Sequence, residues 1–326
     1  MAFNQRALVA IGSVLVGLGM ITGCASPNNT TATQGNTDSA ASGQSTAAEA
    51  TGTPIKIVFP NRSDSTNLQQ KADAVATFLS KETGLPLTAV VADDAAAVEA
   101  LRANQADVAF LSSRPALKAE QLAGSRLYLA EVRPNYSGGY TYRSVFVVPK
   151  DSPLKSSDDP KAALEQLKDK TIAFTSPTSG SGFIFPVGDL VKQGLVPYRD
   201  RLDQFFGEVT YGGDYSKALQ SVLRGQAEVA AVSEYALKPP YLTEAEAQKL
   251  RILYAIPGVP AHGVAIDDDV SAETRDKLVA AMLKLNESEN NALLKDLYNS
   301  TELVSVEHDK HLTPMREALQ RAEIEL

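Results

Sequence analysis

From residue 55 onward the chain alternates short apolar runs with stretches of helical spacing, and this alternation sets what it can fold into. Residues 55–59, 87–91, 107–111, 127–132 and 143–148 read as strands, and residues 68–79 and 95–103 carry apolar side chains three and four apart. Strands that are apolar at nearly every position need cover on both faces, and the intervening helices supply it, so the pattern predicts an α/β layered body. A second module starts near Asp151. It reads as a helix at 161–167, a strand at 171–174, a helix at 183–194, a strand at 208–211, a helix at 215–223, and strands at 228–232 and 251–256. Residues 272–285, 290–298 and 312–322 read as helices, and no internal repeat is visible.

The segment before this body has a different character. Arg6 is the only charged residue of the opening stretch, and residues 7–23 carry no charge and are largely apolar. That layout is a secretory signal, too short and too glycine-broken to span a membrane. It ends in Ile21-Thr22-Gly23-Cys24, which resembles the bacterial lipobox, so residues 1–23 are expected to be a signal peptide and Cys24 the lipidated residue. Cys24 is the only cysteine, so no disulfide forms within the chain. Residues 25–53 contain no Val, Ile, Leu, Met, Phe or Tyr. Such a segment buries too little to offset its ordering entropy and reads as a tether. The net charge of -8 argues against nucleic acid as partner, which needs clustered Lys and Arg. A small anion responds to local groups instead and is not excluded.

The most informative stretch is Ser179-Gly180-Ser181-Gly182, between the strand at 171–174 and a helix start. Helix N-termini present N–H groups without intrahelical partners and the positive end of the dipole, and small residues let an oxyanion approach. The same sequence also suits an ordinary N-cap loop. Ser112, Ser113 and Arg114 follow the strand at 107–111, and ligands of open α/β sheets bind beyond strand ends. Arg114 suits bidentate contact with an oxyanion. Asn61, Arg62 and Ser63 follow the first strand and are lesser candidates, and Tyr142 suits either the cleft or hinge packing.

Ordered landmarks then carry a resemblance. Residues 94–116 read DAAAVEALRANQADVAFLSSRPA and 140–153 read YTYRSVFVVPKDSP. Residues 173–186 read AFTSPTSGSGFIFP, 212–222 read GGDYSKALQSV, and Pro257-Gly258-Val259-Pro260 follows. In this order they resemble the phosphate, phosphite and phosphonate binding proteins of ABC importers, over essentially the whole body from Pro54. The resemblance implies a two-lobe α/β fold, the type II periplasmic-binding-protein fold, with a ligand cleft between lobes. It divides the body into lobe 1, residues 54–149 plus 261–326, and lobe 2, residues 150–260, with crossings at 149–153 and 256–260. It implies a phosphorus oxyanion as ligand, an ABC permease as partner, a monomeric state and no cofactor, while the lipobox implies attachment to a membrane through the lipid on Cys24.

The same resemblance places Ser179, Gly180 and Ser181 on the family's Ser-Thr-Ser anion loop, with glycine in place of threonine. Asp214, followed by Tyr215, falls where the family usually has histidine, and His262 where it often has aspartate, as though the two exchange partners across one pocket. Asp214 also suits a helix N-cap. Glu234 falls on a position that faces the amine in aminoalkylphosphonate binders. Ala72 and Leu111 stand where relatives place aromatic residues around the ligand. Two other readings remain: the sensing module of a signalling system, and a hydrolase using Ser179 or Ser181 with His262 and Asp214. The serine context lacks the Gly-x-Ser-x-Gly elbow, and no His/Asp group shows ligand spacing for a metal.

Overall fold

The computed structural model describes residues 53–62 and 65–326. The expected signal peptide, Cys24 and residues 25–52 of the expected tether lie outside the described residues, as does Ser63. The strands are β1 Ile55–Pro60, β2 Leu87–Ala92, β3 Val108–Leu111, β4 Arg126–Val132, β5 Thr141–Pro149, β6 Thr171–Phe174, β7 Glu208–Tyr211, β8 Val229–Ser233, β9 Leu250–Pro260, β10 Gly263–Ile266 and β11 Glu302–Ser305. They form two mixed sheets, in the order β11-β4-β10-β3-β1-β2 and β7-β6-β8-β5-β9. In the first, β1 runs parallel to β2 and β3, while β10 is antiparallel to β3 and β4. In the second, β6 runs parallel to β7 and β8, and β5 is antiparallel to β8 and β9.

The helices are α1 Leu68–Thr83, α2 Asp94–Arg102, α3 Ser113–Ala123, α4 Pro160–Glu165, α5 Phe185–Lys192, α6 Tyr215–Leu223, α7 Glu244–Ala247, α8 Ala272–Leu283, α9 Asn291–Tyr298 and α10 His308–Ala322. Central strands β3, β8 and β10 are buried at every residue, as expected for strands covered on both faces, whereas edge strand β2 alternates in exposure. Phe59, Phe110 and Tyr298 pack in series in the core of the first sheet. No helix of the described residues is long and apolar enough to cross a membrane.

The structure moves both crossings. Strand β5 pairs with β8 and β9 along its length, so residues 141–149 belong to the second sheet and the chain leaves the first sheet before Thr141. The Lys150-Asp151-Ser152 segment is only the turn at the end of β5, closed by Lys150 N–H to Lys249 O and Ser152 N–H to Pro149 O. Strand β9 runs on through residues 256–260, and the return falls at Ala261 and His262, before β10. The last helices also divide. Helices α8 and α9 pack on α1, but α10 packs chiefly on α5 and β9 of the second sheet. Gly188 permits that approach, because a Cβ there would lie 3.1 Å from the Ala318 carbonyl oxygen.

Four elements are absent from the sequence reading: α3, the single-turn α7, β10 and β11. Helix α3 begins Ser113-Arg114-Pro115, and a proline in the first turn removes only an N–H that has no intrahelical partner, so it does not stop the helix. Strands β10 and β11 have four residues each, too few to show a period.

Candidate functional site

The end of β6 turns into a loop that α5 does not enter directly. Residues Gly180–Ile184 form one π-turn ahead of α5. Ser179 caps it, its Oγ accepting from the Gly182 N–H at 3.1 Å. Gly182 O accepts from the Thr175 N–H at 3.2 Å, and Thr175 Oγ1 donates to Ala231 O at 3.1 Å, which ties the loop to β8. The Ser144 hydroxyl of β5 donates to Ser181 O at 2.6 Å. Ser181 Oγ and the Tyr215 hydroxyl hydrogen-bond at 2.8 Å. The loop is thus fixed by β5, β8 and α6 before any ligand arrives.

Thr175, Ser176, Thr178, Ser179 and Gly180 form one wall of a cleft of about 360 Å³. Gly213, Asp214 and Tyr215 extend that wall, while Asn61, Arg62, Asp94, Ser112, Ser113, Arg114, Arg133 and His262 face it from the first sheet. A larger hollow of about 650 Å³, bounded by Pro149–Asp151, Val222, Leu223 and Gln248–Leu250, is lined from the second-sheet half alone. Closure of two halves cannot act on it, so the smaller cleft is the candidate.

Behind the first-sheet wall lies a buried cluster around Glu131, at the end of β4. Its Oε1 accepts from the Tyr136 hydroxyl and from His262 Nδ1, each at 2.9 Å. Its Oε2 accepts from Arg62 Nη1 at 2.9 Å and from the Ser300 hydroxyl at 2.8 Å. Arg133 Nε lies 3.2 Å from Oε1. Burial opposes the charge, but Arg133, Arg62 and His262 outweigh it and hold the carboxyl well below the usual carboxylate range. Arg62 also stacks on Tyr298, its guanidinium 3.7 Å from the ring centroid. Arg114, in the first turn of α3, donates to the Glu325 carbonyl at 3.0 Å, and burial followed by the nearby Arg199 lowers its pKa.

Of the residues singled out in the sequence, the structure brings Ser179, Gly180, Asp214, Tyr215, His262, Ser112, Ser113 and Arg114 together around this cleft, with Asn61, Arg62 and Tyr142 beside them. Ser181 and Gly182 are buried just behind the wall as its support. Glu234 is elsewhere. Its Oε1 accepts from Ser137 N–H, Ser137 Oγ–H and Arg143 N–H, and its Oε2 pairs with Arg143 Nε at 2.6 Å. That carboxylate is saturated within the protein and is not turned to the cleft. Ala72 and Leu111 are core residues with no exposed surface.

The aromatic contribution comes instead from Tyr142, Tyr215, Tyr235 and Tyr241, which line the cleft and pack on one another. Burial raises the pKa values of Tyr142 and Tyr235 far above the ordinary phenol value, so both stay neutral. Arg133, Asp94, Tyr235 and Tyr241 are absent from the sequence reading. For Arg133 the strand-end argument that picks out Arg114 applies equally, since Arg133 directly follows β4.

Asp214 caps α6, its Oδ1 accepting from the Lys217 N–H at 2.8 Å and its Oδ2 pairing with Lys217 Nζ at 2.9 Å. Asp214→Ala is therefore expected to cost about 1 kcal/mol in urea unfolding, while Asp214→Asn, a cap of similar quality, should cost little. An equal loss in both would contradict the capping role.

All three histidines have lowered pKa values, for each of which burial is the first cause. Their unfolded pKa is near 6.5, so below that pH the unfolded chain binds protons that the folded chain refuses. Stability should be full above about pH 6.5 and fall as pH drops through the window down to the folded values, by at most about 1.4 kcal/mol per pH unit for each histidine. Urea midpoints measured from pH 7.5 to 5 test this, and a flat profile would contradict it.

No triad assembles. Ser181 is bonded to Tyr215, Ser179 to the Gly182 amide, His262 to Glu131 and Asp214 to α6. Among the described residues Glu120, His308 and Asp309 do converge, which sequence spacing could not show. His308 Nδ1 accepts from the Leu127 N–H at 2.8 Å, so its proton sits on Nε2 and leaves no lone pair there for a metal. Arg126 and Arg316 pair with the two carboxylates.

Two α/β halves, each built on its own mixed sheet, with a polar anion-compatible cleft between them, define a type II periplasmic-binding-protein fold. The solved structure of PhnD1 from Prochlorococcus marinus (MIT 9301), in complex with methylphosphonate, superimposes with a TM-score of 0.65 at 17% identity, covering 82% of this chain and 98% of that one. Over residues 57–312 the sequence matches the family described as ABC transporter, phosphonate, periplasmic substrate-binding protein, and the chain belongs to that family. It is 26% identical over 214 residues to the phosphonates-binding periplasmic protein of Escherichia coli K12, covering 65% of this chain and 60% of that protein. It is 27% identical over 179 residues to the phosphate-import protein PhnD of Mycolicibacterium smegmatis, covering 54% of each. The matched region thus spans less than two thirds of the length of either relative.

Proposed function

We propose that this chain is the extracytoplasmic substrate-binding lipoprotein of an ABC importer, capturing a phosphorus oxyanion in the cleft and presenting it to the permease. The observation that carries this reading is the pre-fixed turn at a helix start, whose Ser179 and Gly180 face Arg62, Arg114 and Arg133 across a cleft of about 360 Å³. Helix-start amides and guanidinium groups together suit a small tetrahedral anion. Hydrogen bonds to a charged ligand contribute about 1.5–3 kcal/mol each, so a few of them exceed the roughly 8 kcal/mol of micromolar affinity before ordering costs are subtracted. Family membership supports a phosphonate as ligand, and phosphite and phosphate share its tetrahedral phosphorus centre. Ligand contacts from both halves would favour a closed form, by hinge motion at the two crossings. Cys24 and the segment to Thr53 would hold a monomer near its permease and raise its effective concentration there.

A panel of thermal melts with phosphate, phosphite, methylphosphonate, 2-aminoethylphosphonate and sulfate tests this. A ligand at a hundred times its Kd stabilises by about 2.7 kcal/mol. At least one phosphorus anion should raise Tm by several degrees and sulfate should not. A panel with no shift would sink the reading, and a shift by the amino compound alone would return Glu234 to consideration.

A further inference from the structure

His262 is the first residue to consider, because its ring has two distinct edges. Nδ1 lies 2.9 Å from Glu131 Oε1, and Glu131 is ionised and can only accept, so Nδ1 carries a proton. The ring lines the cleft and keeps 17% of its side-chain surface exposed, although Glu131 behind it is buried. Nε2 is therefore on the cleft edge, and it has no hydrogen-bond partner among the described residues. Five groups hold the carboxylate of Glu131 in place, from β1's end, β4's end, the 133–137 loop, the β9–β10 crossing and Ser300. The tautomer is thus imposed by the fold.

We infer that the Glu131–His262 pair reads the proton on the ligand: Nε2 of His262 presents a lone pair to the cleft and accepts from a P–OH group, so that the bound complex always contains one proton between Nε2 and a ligand oxygen. This rests on the phosphorus-oxyanion reading and deepens it. A phosphonate monoanion, R–PO2(OH)–, brings that proton with it. A dianion, R–PO3 with two charges, must take one from solvent, which ends on the same Nε2–oxygen pair. Sulfate carries no proton at neutral pH and is a weak base, so its binding requires charging the imidazole. The groups facing His262 disfavour that: burial first, then Arg62, with Arg133 adding to it and Glu131 opposing. The selected class is a tetrahedral oxyanion with an exchangeable proton. His262 is the specificity-determining residue, and Glu131 positions it.

Asp94 is the rival acceptor, since it lines the cleft, with Oδ2 accepting from Ser112 Oγ–H at 2.9 Å and Oδ1 buried without a partner. Asp214 is already engaged by Lys217 through both oxygens.

The test is calorimetric titration of the full-length chain with methylphosphonate, in buffers of different ionisation enthalpy, below and above the ligand's second ionisation. Proton uptake should be near zero below it and approach one proton per ligand above it, with affinity falling about tenfold per pH unit there. In His262→Ala the acceptor is removed, so the uptake should vanish and the preference for methylphosphonate over sulfate should narrow; in Asp94→Asn the uptake should persist. Binding with zero uptake at alkaline pH, or uptake that survives His262→Ala and disappears in Asp94→Asn, would overturn the inference alone. No binding of methylphosphonate, phosphite or phosphate at any pH would overturn the functional reading, and this inference with it.

Discussion

Glutamine in place of Glu131 is expected to lower stability by about 3–5 kcal/mol, the usual consequence of removing one charge from a buried ion cluster. The carboxylate accepts from Arg62, Tyr136, His262 and Ser300 and pairs with Arg133, and Glu131 itself is 2% exposed. Glutamine has nearly the same shape, so packing is conserved and the loss isolates the charge. Two guanidinium groups then remain in the interior without this counter-charge. The same change frees the tautomer of His262, so ligand affinity should fall as well. Urea unfolding at pH 7 measures the first effect, and a loss below about 1 kcal/mol would mean that the cluster is less dependent on Glu131 than its geometry implies.

Alanine at Gly182 is the second large expected effect. A Cβ there would lie 2.1 Å from Thr175 Oγ1 and 2.4 Å from Thr175 Cβ, far inside contact distance. Thr175 cannot retreat easily, because its hydroxyl donates to Ala231 O and its amide to Gly182 O. The loop must move, and overpacking of this kind costs about 1–3 kcal/mol. The larger consequence is for binding. A displaced turn no longer holds Ser179 and Gly180 in the cleft wall, and losing two charged hydrogen bonds of about 1.5–3 kcal/mol each would correspond to roughly a hundredfold or more in Kd. Gly180→Ala is the contrast, since its nearest neighbour at 3.0 Å is the flexible end of Met315, which can give way. It should keep the fold. Equal affinity for Gly182→Ala and the parent chain would remove the turn from the site.

Much of this was legible before the structure. Strands β1, β3, β6 and β8 are short apolar runs whose burial on both faces follows from composition, and the loop after β6 stands out because Ser and Gly gather at a helix start. What could not be read depends on contacts between distant residues. Glu131 looks like an ordinary charged residue near a strand end, and only the fold brings His262, Ser300 and Arg62 onto it. Glu234 fails for the opposite reason: its position matches a ligand-facing one, but Ser137 and Arg143 fill its lone pairs. The aromatic wall is supplied by Tyr142, Tyr215, Tyr235 and Tyr241, which no spacing rule links. The crossings were misplaced because the turn-forming Lys150-Asp151-Ser152 looks like a linker, whereas β5 and β9 pair as far as Thr141 and Pro260.

The central claim is that the cleft between the two sheets holds a phosphorus oxyanion against the Ser179–Gly182 turn. Calorimetric titration of methylphosphonate and of sulfate into the chain at pH 7, for the parent and for Gly182→Ala, tests it most directly. The account predicts one-to-one binding of methylphosphonate at micromolar Kd or tighter, about 8 kcal/mol or more, no binding of sulfate, and a large loss in the variant. Absence of heat with methylphosphonate, phosphite and phosphate alike, or sulfate bound as tightly as they are, would contradict it.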